Sequence, residues 1–246
     1  MPDDTIITMR YTPNDDEKES AIVESGTEIR DLGEEQKLFK VRLADTEKGR
    51  SSVSMLINER YAWRGYAGSH DIQIHPNRIT LAASDQTKVI GTITISIDSS
   101  IGILADEIFK DQIDIQRSQG GKVCEFIKLA FDPDIRSKRV MAAIFHIAFI
   151  YIRHLQKCSD LFIEVSPRHR RFYERMLGFK QQGDIKTNTR VNSPAFLLRL
   201  DLEYAHEQIR LLAGSRNQTG SERSLYSYFY SKREEEGIAN RLFMLG

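Results

Sequence analysis

Two charges interrupt an apolar run. Residues 123–131 read Val-Cys-Glu-Phe-Ile-Lys-Leu-Ala-Phe, a strand closed by the Asp132-Pro133 turn signal. Glu125 and Lys128 lie inside it, and a strand otherwise patterned for burial does not carry charge without a reason. A carboxylate there can accept or direct a proton, and the ammonium can hold an anion. The plainer alternative is a solvated or structural pair near a strand end. Glu164 interrupts a second apolar stretch, 161–165, and is a rival proton acceptor. Each run is followed by a basic cluster: Arg136, Ser137, Lys138 and Arg139 after the first, and Arg168, His169, Arg170 and Arg171, with Arg175, after the second. Backbone N–H groups and the dipole at a helix start favour an anion, so the first cluster reads as an anion site. The second is either a docking face for an acidic partner or a solvated helix face.

The elements that must position these groups follow from periodicity. Residues 140–152 are apolar except for His146. The apolar positions recur at Val140, Ile144, Ile147, Tyr151 and Leu155, with a second stripe at Met141, Phe145, Ala148 and Ile152. That is a helix buried on most of its circumference, with His146 as a satisfied core histidine. Ser166-Pro167 opens a short basic helix through Leu177, and Gly178 stops it. Strand, helix, strand, helix implies two parallel strands joined by a right-handed crossover.

This unit resembles the core of the GNAT acyltransferase superfamily. The closing Phe-Tyr-Glu-Arg-Met-Leu-Gly-Phe, 172–179, is similar to that superfamily's signature with one extra residue between Tyr173 and Gly178. The loop that wraps a pyrophosphate in coenzyme A users has lost both small positions: residues 136–141 read Arg-Ser-Lys-Arg-Val-Met. The finer match, over roughly 37–201, resembles FeeM-like N-acyl amino acid synthases, which are related to acyl-homoserine-lactone synthases. The resemblance implies an α/β (α+β) fold of the GNAT type: a central mixed twisted sheet, parallel strands 4 and 5 splayed apart, and helices on both faces. It also implies an N-acyltransferase moving a long-chain acyl group from acyl carrier protein to the amino group of an amino acid. No cofactor is bound; acyl-phosphopantetheine of the carrier, or acyl-CoA, is the co-substrate.

On the same resemblance, Glu125 orients or deprotonates the acceptor amine and Lys128 contacts its carboxylate. Backbone N–H groups near Lys128, Leu129 and Ala130 hold the oxyanion. Tyr173 protonates the departing thiolate, unless it is a packing tyrosine. Arg60, Trp63 and Gly65 are similar to a neighbourhood of the lactone synthases, which implies substrate binding by Arg60, Trp63 and Arg64, with a packed helix end as the alternative. Arg136, Ser137, Lys138, Arg139 and Val140 take a single phosphate, and Arg168, His169, Arg170 and Arg171 dock the acidic carrier. Three other functions stay open: an acetyl-CoA-dependent GNAT N-acetyltransferase, a lactone synthase, and a non-catalytic acyl or carrier-protein binding module.

The remaining chain frames this core. Its 246 residues are 40% hydrophobic and formally neutral, enough for one large domain with tails. Charge is segregated. Residues 1–36 hold eleven acidic against three basic residues, and 136–180 hold ten basic against three acidic. A basic quarter in a neutral chain suggests an acidic partner. Nucleic acid is disfavoured because no interleaved aromatics or reading helix accompany the charge. Residues 1–36 are expected to be a disordered or weakly ordered acidic arm, and 202–246 a helical extension that packs on the core or self-associates. A helix capped by Ser51 or Ser52 buries Val53, Leu56 and Ile57. A hairpin spans 79–97, a short helix lies around 104–109, and a last strand carries Phe196, Leu198 and Leu200. Cys124 and Cys158 read as reduced thiols without metal-ligand spacing. The acidic start has no signal-peptide pattern, and the apolar run at 140–152 is too short for a bilayer, so a cytoplasmic protein is expected.

Overall fold

The structure, a computed structural model, describes residues 4–12, 37–86, 88–215 and 224–245. The strands are β1 (Thr5–Tyr11), β2 (Lys37–Leu43), β3 (Arg78–Ser84), β4 (Val89–Ile97), β5 (Val123–Phe131), β6 (Asp160–Val165), β7 (Lys180–Gln181), β8 (Lys186–Asn188) and β9 (Ser193–Asp201). They form one mixed sheet in the order β1-β2-β3-β4-β5-β6-β9-β7, with β8 also paired to β9. Every pairing is antiparallel except that of β5 with β6.

Period-two alternation sends successive side chains of each strand to opposite faces. On one face, α1 (Glu47–Trp63) sets Val53, Leu56 and Ile57 against Ala82 and Ala130. Beside it, α2 (Asp106–Ser118) sets Phe109 and Ile113 against Val123, Phe162 and Leu197. The opposite face carries α3 (Lys138–Ile150) and α4 (Pro167–Leu177), which pack on Cys124, Phe126, Leu161 and Ile163. A Cβ at Gly91 would lie 2.8 Å from both Ile144 and Phe131, so glycine there lets α3 approach the sheet.

Several elements depart from the sequence reading. Residues 5–11, inside the expected disordered arm, form β1 and bury Ile6 and Tyr11 against β2. The acidic composition of the flank masked this short alternating strand. The rest of that arm, 13–36, lies outside the described residues. Helix α1 starts ahead of the Ser51/Ser52 cap: Thr46 Oγ1 accepts the Gly49 N–H at 3.0 Å, and the first turn carries no apolar period to announce itself. Helix α2 runs well past residue 109, with Arg117 in its last turn clasped by Asp98, Asp106 and Asp114 at 2.7 Å.

The C-terminal stretch packs on the core. It comprises α5 (Leu202–Leu212), a 3-10 turn at Leu225–Tyr228 and α6 (Lys232–Leu245). His146 of α3 stacks on Phe229 with ring centroids 4.6 Å apart, and its Nδ1 accepts the Tyr230 N–H at 2.9 Å. Glu235 of α6 meets His154 at 2.8 Å, and Arg241 donates to the Ile6 carbonyl of β1 at 2.8 Å.

Candidate active site

Two irregularities at the centre of the sheet make the site. β5 and β6 pair in parallel from Val123 opposite Asp160 to Phe126 opposite Ile163, where the register ends although β5 continues to Phe131. Just beyond, β5 gains a residue on β4: Thr94 faces Ile127 but Thr92 faces Ala130. Within this bulge Lys128 has a φ of +52°, the left-handed region, which β5 enters at this residue only. The two strands part, and a cavity of about 380 Å³ opens between them.

Both carboxylates singled out in the sequence line this cavity. They share a face because Glu125 lies opposite Phe162 and Glu164 is two residues further along β6. Glu125 is 1% exposed, and its Oε2 accepts the Ala105 N–H at 3.2 Å. Burial pushes its carboxyl up to about 8; the Ala105 bond opposes the rise and the Glu164 charge adds to it. Glu164 is differently placed. Arg190 pairs with it at 2.7 Å, and Asn188 donates to its other oxygen. Arg190 also pairs with Glu107 of α2, so the turn after β8 is fixed to the site by charge.

Tyr173 reaches the cavity from α4, with its ring edge-on to Phe145 and Phe179. Burial pushes its hydroxyl up, which keeps it protonated. Its helix ends at Gly178, where φ is +77° and a Cβ would lie 2.4 Å from the Tyr204 ring, so the sequence stop signal is also a packing requirement. His169 joins the lining; burial and the charges of Arg64 and Arg168 hold it down to about 4.

The other sequence candidates divide. Leu129 and Arg64 line the cavity. Lys128 lines it too, but its Nζ donates to the His70 and Asp71 carbonyls at 3.1 and 2.5 Å. Ala130 does not line the cavity: the bulge sets its side chain under α1, further along the same face as Glu125. Arg60 and Trp63 do not line the cavity: Trp63 is 67% exposed on the rim, stacked by Arg60 at 5.0 Å and Arg168 at 5.5 Å. Arg170 pairs with Glu174 at 2.6 Å and covers the Phe196 ring, while Arg168 and Arg171 are exposed. Arg136, Ser137, Lys138, Arg139 and Val140 lie outside the cavity, at the start of α3, with Val140 fully buried.

Sequence reasoning missed Tyr61, His70, Asn188 and Arg190. Tyr61 lies near a helix end, His70 in a loop, Asn188 at the end of β8 and Arg190 in the turn after it, with no spacing that ties them to the β5 run. Among the described residues, no group of three or more His, Cys, Asp or Glu could hold a metal ion, and no helix is long and apolar enough to cross a membrane.

Comparison with known proteins bears on the same segment. A family model described as N-acyl amino acid synthase FeeM matches residues 52–201, from within α1 to the end of β9. The chain belongs to the FeeM family of N-acyl amino acid synthases. It is therefore an acyltransferase enzyme acting on nitrogen, with an acyl thioester as co-substrate. Its fold is similar to that of FeeM, an N-acyl amino acid synthase from uncultured soil microbes: TM-score 0.62, 24% identity, covering 69% of this chain and 94% of that one. Escherichia coli ElaA is similar at TM-score 0.50 and 8% identity, covering 66% of this chain and 98% of that one. No curated protein matches the chain.

Proposed function

We propose that this FeeM-family enzyme moves a long-chain acyl group from the phosphopantetheine of acyl carrier protein onto the amino group of an amino acid. The observation that carries this is the Glu125 carboxyl, buried on the wall where β5 and β6 part and pushed up to about 8, close to what proton transfer from an ammonium requires. The acceptor enters as an ammonium and yields one proton to Glu125. The neutral amine attacks the thioester carbonyl, the C–N bond forms, and backbone N–H groups near the Lys128 bulge hold the oxyanion. Collapse breaks the C–S bond. Tyr173, protonated at working pH, donates to the thiolate and recovers its proton from the acylated nitrogen through solvent. Glu164, already neutralised by Arg190, shapes the charge around Glu125 instead of taking the proton.

Donor choice rests on the α3 start. The pantetheine arm lies along the parted strands, and its phosphate meets Arg136, Ser137, Lys138, Arg139 and the Val140 backbone. A loop with side-chain cations and no glycine suits one phosphate better than a nucleotide pyrophosphate. The acidic carrier docks on the exposed Arg168 and Arg171, with Arg170 and His169 behind them. We place this reaction in the cytoplasm, where Cys124 and Cys158 stay the free, buried thiols they are.

Turnover with long-chain acyl carrier protein against acetyl-CoA, each with a mixture of the common amino acids, tests the proposal. Acyl amides of an amino acid formed faster from the carrier support it. Equal or faster transfer from acetyl-CoA overturns the carrier assignment, and acylation of amines only, with no amino acid, overturns the acceptor class.

A further inference from the structure

Arg64 follows the last residue of α1, on the wall of the same cavity as Glu125. Among the described residues its guanidinium makes no hydrogen bond and no ion pair, and its Nε is wholly buried without a partner. Burial, followed by the charge of Arg168, holds Arg64 below its ordinary value. The neighbouring cations offer no relief. Arg60 and Arg168 are taken up by the Trp63 ring, and neither makes an ion pair among the described residues. Arg64 as a whole is half-buried, and leaving its buried Nε without a partner is costly unless a ligand completes it.

A second orphaned nitrogen lines the same cavity. His70 Nε2 is buried with no hydrogen-bond partner. The ring packs edge-on against Tyr61 with centroids 4.6 Å apart, and Tyr61 packs edge-on against Tyr66 at 5.6 Å. The His70 backbone is pinned from both ends: its N–H donates to Asn58 at 2.8 Å, and its carbonyl accepts from Lys128. Two of the three N–H bonds of the Lys128 ammonium are thus committed to carbonyls, and they fix the loop that carries His70.

We propose that Arg64 and His70 form the subsite for the α-carboxylate of the acceptor, an assignment that rests on the amino-acid acceptor proposed above. An arriving oxyanion satisfies both orphaned nitrogens at once, and the guanidinium fork matches a carboxylate with two parallel hydrogen bonds. The other anionic group that the substrates bring is the donor phosphate, and the oxyanion formed on attack is held by backbone N–H groups. In an α-amino acid the amine and the carboxylate share one carbon, so the carboxylate must bind in the cavity that holds the amine's base. Arg64 and Glu125 line one cavity, whereas the phosphate stands a whole pantetheine arm from the thioester.

Calorimetric titration with N-dodecanoylglycine and with its carboxamide tests this, since the pair differs only in the charge at issue. Wild type should bind the acid about tenfold to a hundredfold more tightly than the amide. Arg64→Gln should bring the two to within about threefold and leave the affinity for acyl carrier protein unchanged, while Arg64→Lys recovers part of the preference. Because Arg64→Gln removes an unpaired, half-buried charge, its Tm should equal or exceed that of wild type; a large fall would mark Arg64 as structural and overturn the proposal. An acid preference undiminished in Arg64→Gln overturns the subsite alone. The same preference together with weakened carrier binding moves Arg64 to the donor phosphate and overturns it as well. Failure of wild type to bind either compound overturns both the subsite and the acceptor class beneath it.

Discussion

Glu125 and Glu164 stand on neighbouring parallel strands and line one cavity, yet only Glu164 is matched by a cation, Arg190 at 2.7 Å. Proximity couples the two carboxylates and the arginine separates their roles. One has a cation of its own, and the other is buried without one, which pushes its carboxyl up.

Glu125→Gln keeps size and hydrogen bonding and removes basicity. Turnover should fall about a hundred- to ten-thousand-fold with near-normal donor binding, and recover in part at high pH, where solvent deprotonates the amine. In wild type, turnover should rise with pH through about 8, and this limb should vanish in the variant. Stability gives an independent sign. The folded-state carboxyl lies above its ordinary 4.5, so folding favours the protonated form, and stability is lost as pH climbs from about 4.5 to about 8. Denaturant unfolding should find Glu125→Gln more stable than wild type at pH 9 and no more so at pH 4.

The Glu164–Arg190 pair tunes that limb. Glu164 raises Glu125 and Arg190 lowers it. Glu164→Gln should move the rising limb of the pH–rate profile to lower pH, and Arg190→Gln should move it higher. If Glu164→Gln instead abolishes turnover while Glu125→Gln stays within a few-fold of wild type, the base is on β6.

Reversing Arg168 and Arg171 to Glu should slow association with acyl carrier protein and flatten its dependence on ionic strength, measured by stopped-flow at two salt concentrations. Tm should change little, since both are exposed and neither makes an ion pair among the described residues. Unchanged association returns the cluster to a solvated face.

Glu235→Ala tests how the C-terminal helix is held. Burial opposes ionisation of this carboxyl, but the His154 hydrogen bond at 2.8 Å and the His146 ring nitrogen 3.7 Å away hold it down to about 2. Its contribution is therefore present above the ordinary 4.5 and lost as pH falls toward 2. The variant should lose about 1–3 kcal/mol of stability at pH 7, and the difference should shrink in acid.

What the sequence conveyed followed the physics that repeats. Helix α3 announced itself through thirteen nearly unbroken apolar residues, 140–152, and the crossover from β5 to β6 needed only their order. Glu125 was legible because charge inside an apolar strand is costly. Gly178 was legible because a left-handed stop favours glycine. Arg190, Asn188 and His70 were not, because turns bring them to the cavity and turns carry no period. Lys128 was legible as an anomaly, but its reach to the loop at 70–71 was not: the bulge that redirects it arises from the offset between β4 and β5, which neither strand encodes alone. The segment 5–11 failed for a compositional reason, since acidic neighbours outweighed a short alternation.

The tether from Lys128 to the loop at 70–71 separates two halves of the site that natural variation could otherwise change only together. The loop bearing His70 is fastened to the sheet by one side chain reaching two carbonyls, which any residue supplies. Its side chains can be exchanged without repairing a strand register, and the donor side proposed on β5, β6 and α3 is untouched. Acceptor preference can therefore drift from one descendant to the next while the acyl-delivery machinery stays constant. Libraries confined to residues 66–75 are the economical place to look for enzymes that acylate a different amine.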